Sequence, residues 1–164
     1  VAVGALDRVG RGLYALPGAE FTEYHSMVQA SRRVPGGAIC LMSALRFHNL
    51  TSQNPHEVWL AIGSKERLPS SGNPPIKIVR FGIENFQLGL EVHEIEGVML
   101  KVYSLARTVV DLFRYRNKIG IDVALEALKE GWQERRFTIK EINHIAARCR
   151  MAHVMKPYLE SLIS

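Results

Sequence analysis

"VMLKVYSLARTVVDLFRYRNKIGIDVALEALKEG" (Val98–Gly131) decides how this chain folds. Its first residues are the second arm of a hairpin over Leu90–Ser104 that turns near Glu96-Gly97. Ser104 then stands as an N-cap, and Leu105, Val109, Leu112 and Phe113 share one face of a helix. "IDVALEALKEGW" follows, with Ile121, Ala124, Leu125, Leu128 and Trp132 on one face. A sheet therefore ends near Ser104, and a run of helices begins.

The pattern continues toward the C-terminus. Thr138 and Glu141 fit a T-x-x-E capping box ahead of Ile142, Ile145, Ala146 and Cys149. The last segment carries Met151, Val154, Met155, Tyr158, Leu159 and Leu162. Pro157 there either opens a short helix or kinks a longer one. Toward the N-terminus, "IKIVRF" (Ile76–Phe81) and "EVWLAI" (Glu57–Ile62) read as strands around a polar loop, Gly63–Pro75. Thr22–Val34, with Thr22 as N-cap, and Ala38–Leu50 read as helices parted by Pro35-Gly36-Gly37. "LDRVGRGLYALPG" (Leu6–Gly18) reads as a two-stranded ribbon turning at Gly10-Arg11-Gly12. Gly10, Gly12 and Ala15 match a loose G-x-G-x-x-A. No dinucleotide loop is expected, because Pro17-Gly18 ends the segment where a helix should start.

Elements so segregated predict an α+β fold. The expectation is a small mixed or antiparallel sheet of about four strands with a C-terminal cluster of three or four helices, preceded by a β-hairpin. At 164 residues, 47% hydrophobic and 23% charged, the chain can bury a core of its own. No apolar run is long enough to span a bilayer and the first residues lack a signal-peptide layout, so a cytoplasmic protein with no membrane partner is expected. Cys40 and Cys149 lack metal or redox spacing and read as reduced core residues.

Motifs for catalysis are missing. No lysine has an acid two positions before it, as a restriction-type nuclease would need, and no Asp-x-Asp or Asp-x-Glu follows Gly63-Ser64 to hold a polymerase-type magnesium. His93 and Glu91 alternate on one strand, either as ligands or as part of an acidic hairpin surface. The other histidines lack metal-ligand spacing. Ser43 has no nucleophile-elbow context. Asp111 reads as the centre of an intrahelical ion pair with Arg107 or Arg114. The expectation is a protein that is not an enzyme, with no cofactor, no metal and no catalytic residue.

Charge is more telling. The net charge is +5, and residues 104–164 hold eleven Lys/Arg against seven Asp/Glu. Arg8 and Arg11 lie in the ribbon, Arg114, Arg116 and Lys118 end one helix, and Arg135 and Arg136 end the next. Cations at helix ends either complement the dipole or meet an acidic partner.

The order of "RVGRGLYALPG", "CLMSALRFHNLT", "VWLAI", "GVMLKVYSLARTVVDLFRYRNKIGIDVALEALKEG" and "VMKPYLESL" resembles the AbiEi family, antitoxin-like transcriptional regulators of bacterial type IV toxin–antitoxin systems. The resemblance covers almost the whole chain and is most specific over Val102–Gly131. It implies that residues 1–18 are the wing of a winged helix-turn-helix whose recognition helices lie outside this sequence, and that residues 19–164 are the antitoxin domain. It also implies operator DNA as a partner of the full-length protein. Arg8 and Arg11 would be the wing's nucleic-acid-binding cations. It further implies an AbiEii-like nucleotidyltransferase toxin as functional partner, countered without a stable complex. The alternative is a general nucleic-acid-binding regulator without a toxin.

Overall fold

The computed structural model describes residues 7–10, 13–15, 22–51 and 55–163, with side chains from residue 22 onward. Asp7–Gly10 (β1) and Leu13–Ala15 (β2) pair antiparallel, Arg8 opposite Tyr14, with an irregular register between Arg8 and Gly10. The rest is α+β. In chain order it runs α1 (His25–Arg33), β3 (Ala38–Ile39), α2 (Leu41–Phe47), β4 (Val58–Gly63), β5 (Ile76–Phe81), α3 (Ile83–Phe86), β6 (Leu90–Ile95) and β7 (Val98–Tyr103). Then come α4 (Leu105–Arg114), α5 (Arg116–Ile119), α6 (Ile121–Gln133), α7 (Ile139–Arg148) and α8 (Ala152–Ile163).

The sheet has five strands rather than about four, in the order β5-β4-β3-β7-β6. It is mixed: β3 runs antiparallel to β4 and parallel to β7, and β4 and β5 are parallel. The added strand is β3, at the centre, inside the segment expected to begin a helix. Ala38 and Ile39 are wholly buried, one against each face of the sheet. A two-residue strand has no periodicity to read. Gly37 lets it enter: a Cβ there would lie 2.6 Å from Leu60. The chain then swings from strand to helix through Leu41 at a φ of 46°, a left-handed conformation costing a bulky residue roughly 1–2 kcal/mol. Burial of Leu41 offsets that cost. Ser43, a helix residue, accepts a hydrogen bond from the Trp59 backbone N–H at 2.8 Å, just past the β3–β4 ladder.

One face of the sheet packs on α1 through Met27, Ala30, Leu60, Leu100 and Val102. The other carries the larger core, where Ala61, Phe81 and Tyr103 meet Val109, Leu112 and Phe113 of α4. Helices α6, α7 and α8 complete that layer through Leu128, Ile142 and Met155. The β6–β7 hairpin turns at Glu96-Gly97, both with positive φ, the twist a two-residue loop needs. Glu96 carries a second task. Its carboxylate accepts from the Thr22 N–H and hydroxyl, each at 2.9 Å, and pairs with His25 Nδ1 at 2.6 Å. Thr22 is therefore not the N-cap of α1. That position is Tyr24, which makes no side-chain cap. Instead, a carboxylate from across the fold lies against the first turn, where the dipole favours negative charge. Burial raises Glu96, but its bonds to His25 and Thr22 outweigh this and hold its carboxyl below the usual range.

The C-terminal caps match the sequence. Ser104 accepts from the Arg107 N–H, and Thr138 from the Glu141 N–H. The segment expected as one helix from Ser104 to Arg116 breaks at Tyr115 into α4 and α5. Pro157 lies inside one continuous helix, α8. The inward face of α6 is rotated from the expected one. Ala124, Ala127, Leu128 and Gly131 are buried, while Ile121 and Leu125 stay exposed. Small residues let α6 approach closely; at Gly131 a Cβ would lie 2.3 Å from the Phe137 ring.

A polar network sits in this core. Arg107 and Asp111 are each 1% exposed, with the Arg107 Nε–H donating to both carboxylate oxygens at 3.1 and 3.0 Å. Arg107 Nη1 donates to the carbonyls of Asn85 and Leu88, so it also holds the α3 segment. Its guanidinium packs against both Phe81 and Tyr103, 4.7 and 4.5 Å from the ring centroids, where the two rings meet edge to face. The intrahelical pair is thus a core element rather than a surface one.

Candidate nucleic-acid interface

The cations at helix ends are placed by the apolar face beneath them. Every residue of α4 from Leu105 to Phe113 is buried, so the helix reaches solvent only at its last residue, Arg114. There Arg114 donates through Nη1 to the Cys149 carbonyl, 2.9 Å away, at the C-cap of α7. Arg116 is half-buried and donates to the Phe113 carbonyl at 2.8 Å. Lys118 is exposed. Two further arginines, Arg148 and Arg150, are exposed on either side of the buried Cys149. The C-terminal ends of α4 and α7 therefore converge, and cations collect at their negative dipole ends. Arg148 and Arg150 escape a reading of α4 alone; the only sequence signal was "RCR" at the close of an amphipathic helix.

Arg136 belongs to a different corner. Its Nη2 donates to the His48 carbonyl at 2.9 Å, at the C-cap of α2, and its Nη1 lies 3.5 Å from Glu134. Arg135 is exposed beside it with a φ of 57°. Arg114 is thus anchored where α4 meets α7, and Arg136 where the end of α6 meets the end of α2. Arg8 lies in β1, whose backbone alone is described, and Arg11 lies outside the described residues.

The two uses weighed for these cations are compatible. A guanidinium has five N–H donors in a planar fork. Arg114, Arg116 and Arg136 each spend only one or two on the contacts above. Capping a carbonyl fixes the side chain, so less freedom is lost when a phosphate or carboxylate binds the remaining donors.

Among the described residues no three His, Cys, Asp or Glu side chains gather closely enough to hold a metal ion. His93 Nε2 lies 2.9 Å from Glu91, and its ring packs on Phe47 at 4.8 Å. His48 Nε2 donates to the Tyr103 carbonyl at 2.9 Å, and burial lowers its pKa. Cys40 and Cys149 are free and buried, and burial raises both thiols. No helix among the described residues is long and apolar enough to cross a membrane. No family model matches the chain, and no curated protein matches it.

Proposed function

We propose that this chain is an antitoxin and transcriptional autoregulator of the AbiEi kind, acting in a type IV toxin–antitoxin system. One observation carries the reading. Val102–Gly131, the string on which the resemblance is most specific, runs from the end of β7 through α4, with its buried Arg107–Asp111 network, and α5 into α6. It ends α4 in the cations that meet Arg148 and Arg150. The residues that carry the resemblance are thus the framework that holds the basic surface.

In this reading the surface meets polyanion rather than toxin. Exposed arginine forks fixed at helix ends suit phosphates, so the nucleic acid on which a nucleotidyltransferase-like toxin acts is the object of neutralisation. No stable toxin complex is then needed. Operator DNA is met by the full-length protein, with Arg8 and Arg11 of the ribbon as wing cations. Binding by the 164 residues alone should rest mainly on phosphates and weaken steeply with salt.

The test is rescue of toxin-expressing cells by the triple variant Lys118→Glu, Arg148→Glu, Arg150→Glu, chosen because these cations make no described capping bond. Rescue should be lost while the melting temperature is kept. Full rescue by the folded triple variant would remove this surface from the function. The control is Leu112→Ala, buried in the core, which should cost roughly 2–5 kcal/mol and lose rescue by unfolding.

A further inference from the structure

We propose that the chain pairs with a second copy of itself through the face formed by α6 and α8, with the two α6 helices crossing antiparallel. The inference is independent of the antitoxin reading. It begins with an excess of apolar surface. The α6 stripe of Ile121, Leu125, Leu128 and Trp132 has the spacing of a buried face, but only Leu128 is buried in the core, and Trp132 is half-buried against it. Ile121 and Leu125 remain 36% and 37% exposed, and Ile163 of α8 is 63% exposed. Between the helices lies an open cleft of about 470 Å³, walled by Leu125 and Trp132 on one side and by Tyr158 and Leu162 on the other. An apolar groove on a helix pair is the surface that another helix fills.

Charge identifies the occupant. Asp122 stands three residues before Leu125 and Lys129 four after it, so all three share a helix face. Both charged side chains are exposed, and neither is in an ion pair among the described residues. In an antiparallel crossing centred between Leu125 and Glu126, Asp122 faces Lys129 of the partner subunit, and two-fold symmetry repeats the pair. A parallel crossing would set like charges opposite each other. The rim is therefore self-complementary in one orientation only, which is the property of an isologous interface.

Size sets the strength. A helix of 13 residues is about 20 Å long, and two helices side by side present a face about 20 Å wide. That footprint falls at the small end of specific interfaces. The dimer should be weak, with a dissociation constant in the micromolar range or above.

Sedimentation velocity on the full chain, from low micromolar to near-millimolar concentration, reads this directly. A reversible monomer–dimer equilibrium is expected. Leu125→Glu should weaken it by at least about tenfold, since it places a charge at the centre of the contact. Asp122→Lys and Lys129→Asp should each weaken it, and the two together should restore it. Circular dichroism confirms folding, and the charge exchange, which alters no apolar side chain, decides the matter if Leu125→Glu does not fold. A monomer at every concentration, a dimer indifferent to Leu125→Glu, or a charge exchange no better than its single changes would each overturn the proposal.

Discussion

Replacing Arg107 by Met tests what holds the centre of this fold. Met keeps much of the stem's volume and removes the donors. Three losses follow. The half-buried Leu88 carbonyl loses its partner, at roughly 1–3 kcal/mol, whereas the Asn85 carbonyl keeps the Leu88 N–H. Asp111 loses its counter-charge, but it can escape by taking up a proton. Burial, against the opposing pull of Arg107, already raises its pKa from 3.8 to about 6. Carrying a proton at neutral pH costs about 4 kcal/mol relative to the unfolded carboxylate, against about 3 kcal/mol already present with Arg107 in place. The added electrostatic cost is therefore only about 1 kcal/mol, and the Leu88 carbonyl sets the upper end of the loss. The stacking on Phe81 and Tyr103 adds a smaller amount. The sum is about 2–5 kcal/mol, a large share of the ~5–15 kcal/mol typical of a domain. Urea unfolding followed by circular dichroism measures it. Arg107→Met with Asp111→Leu removes the whole cost of Asp111, about 4 kcal/mol, and leaves the carbonyl loss, so it should be more stable than the single variant. A single variant that loses less than about 1 kcal/mol, or a double variant no more stable than the single one, would refute the reasoning.

Other consequences are as direct. Asp111, raised in the fold, contributes stability that is fully present below its unfolded value of 3.8 and is lost as pH rises through about 6. His48, lowered by burial, contributes stability that is present above 6.5 and lost as pH falls through its folded value. Unfolding free energies between those limits should therefore change slope in opposite senses in Asp111→Asn and His48→Gln, and identical slopes would contradict the burial of both. Arg135 and Arg150 end α6 and α7 with φ of 57° and 60°, positions where Gly is preferred. Each change to Gly should raise stability by about 0.5–1 kcal/mol, measured by thermal melting. Gly131→Ala should destabilise by about 1–3 kcal/mol although Ala is the better helix former, because its Cβ would strike the Phe137 ring. A rise in melting temperature would show that Phe137 can move aside.

Elements that stabilise themselves locally were legible in the sequence. The strands around the polar loop, the Glu96-Gly97 hairpin and the caps at Ser104 and Thr138 depend on residues a few positions apart. The apolar face of α4 was equally plain, since steps of four and three residues, together about two turns, place Leu105, Val109 and Leu112 on one side. The α+β class followed from their order.

Partners far apart in the chain decided the rest. Strand β3 exists because β4 and β7 supply its hydrogen bonds from either side, and two residues cannot announce that. Thr22 is drawn from its cap by Glu96, a residue 74 positions away. The inward face of α6 was set by the rings and helices it meets: Phe137 accepts a glycine and nothing larger, so the helix turns its small residues inward and leaves Leu125 outside. Arg107 and Arg114 look equivalent beside Asp111 in the sequence. The fold buries the first against two aromatic rings and sends the second to the Cys149 carbonyl. Periodicity fixes which side chains share a face; only packing fixes what that face must satisfy.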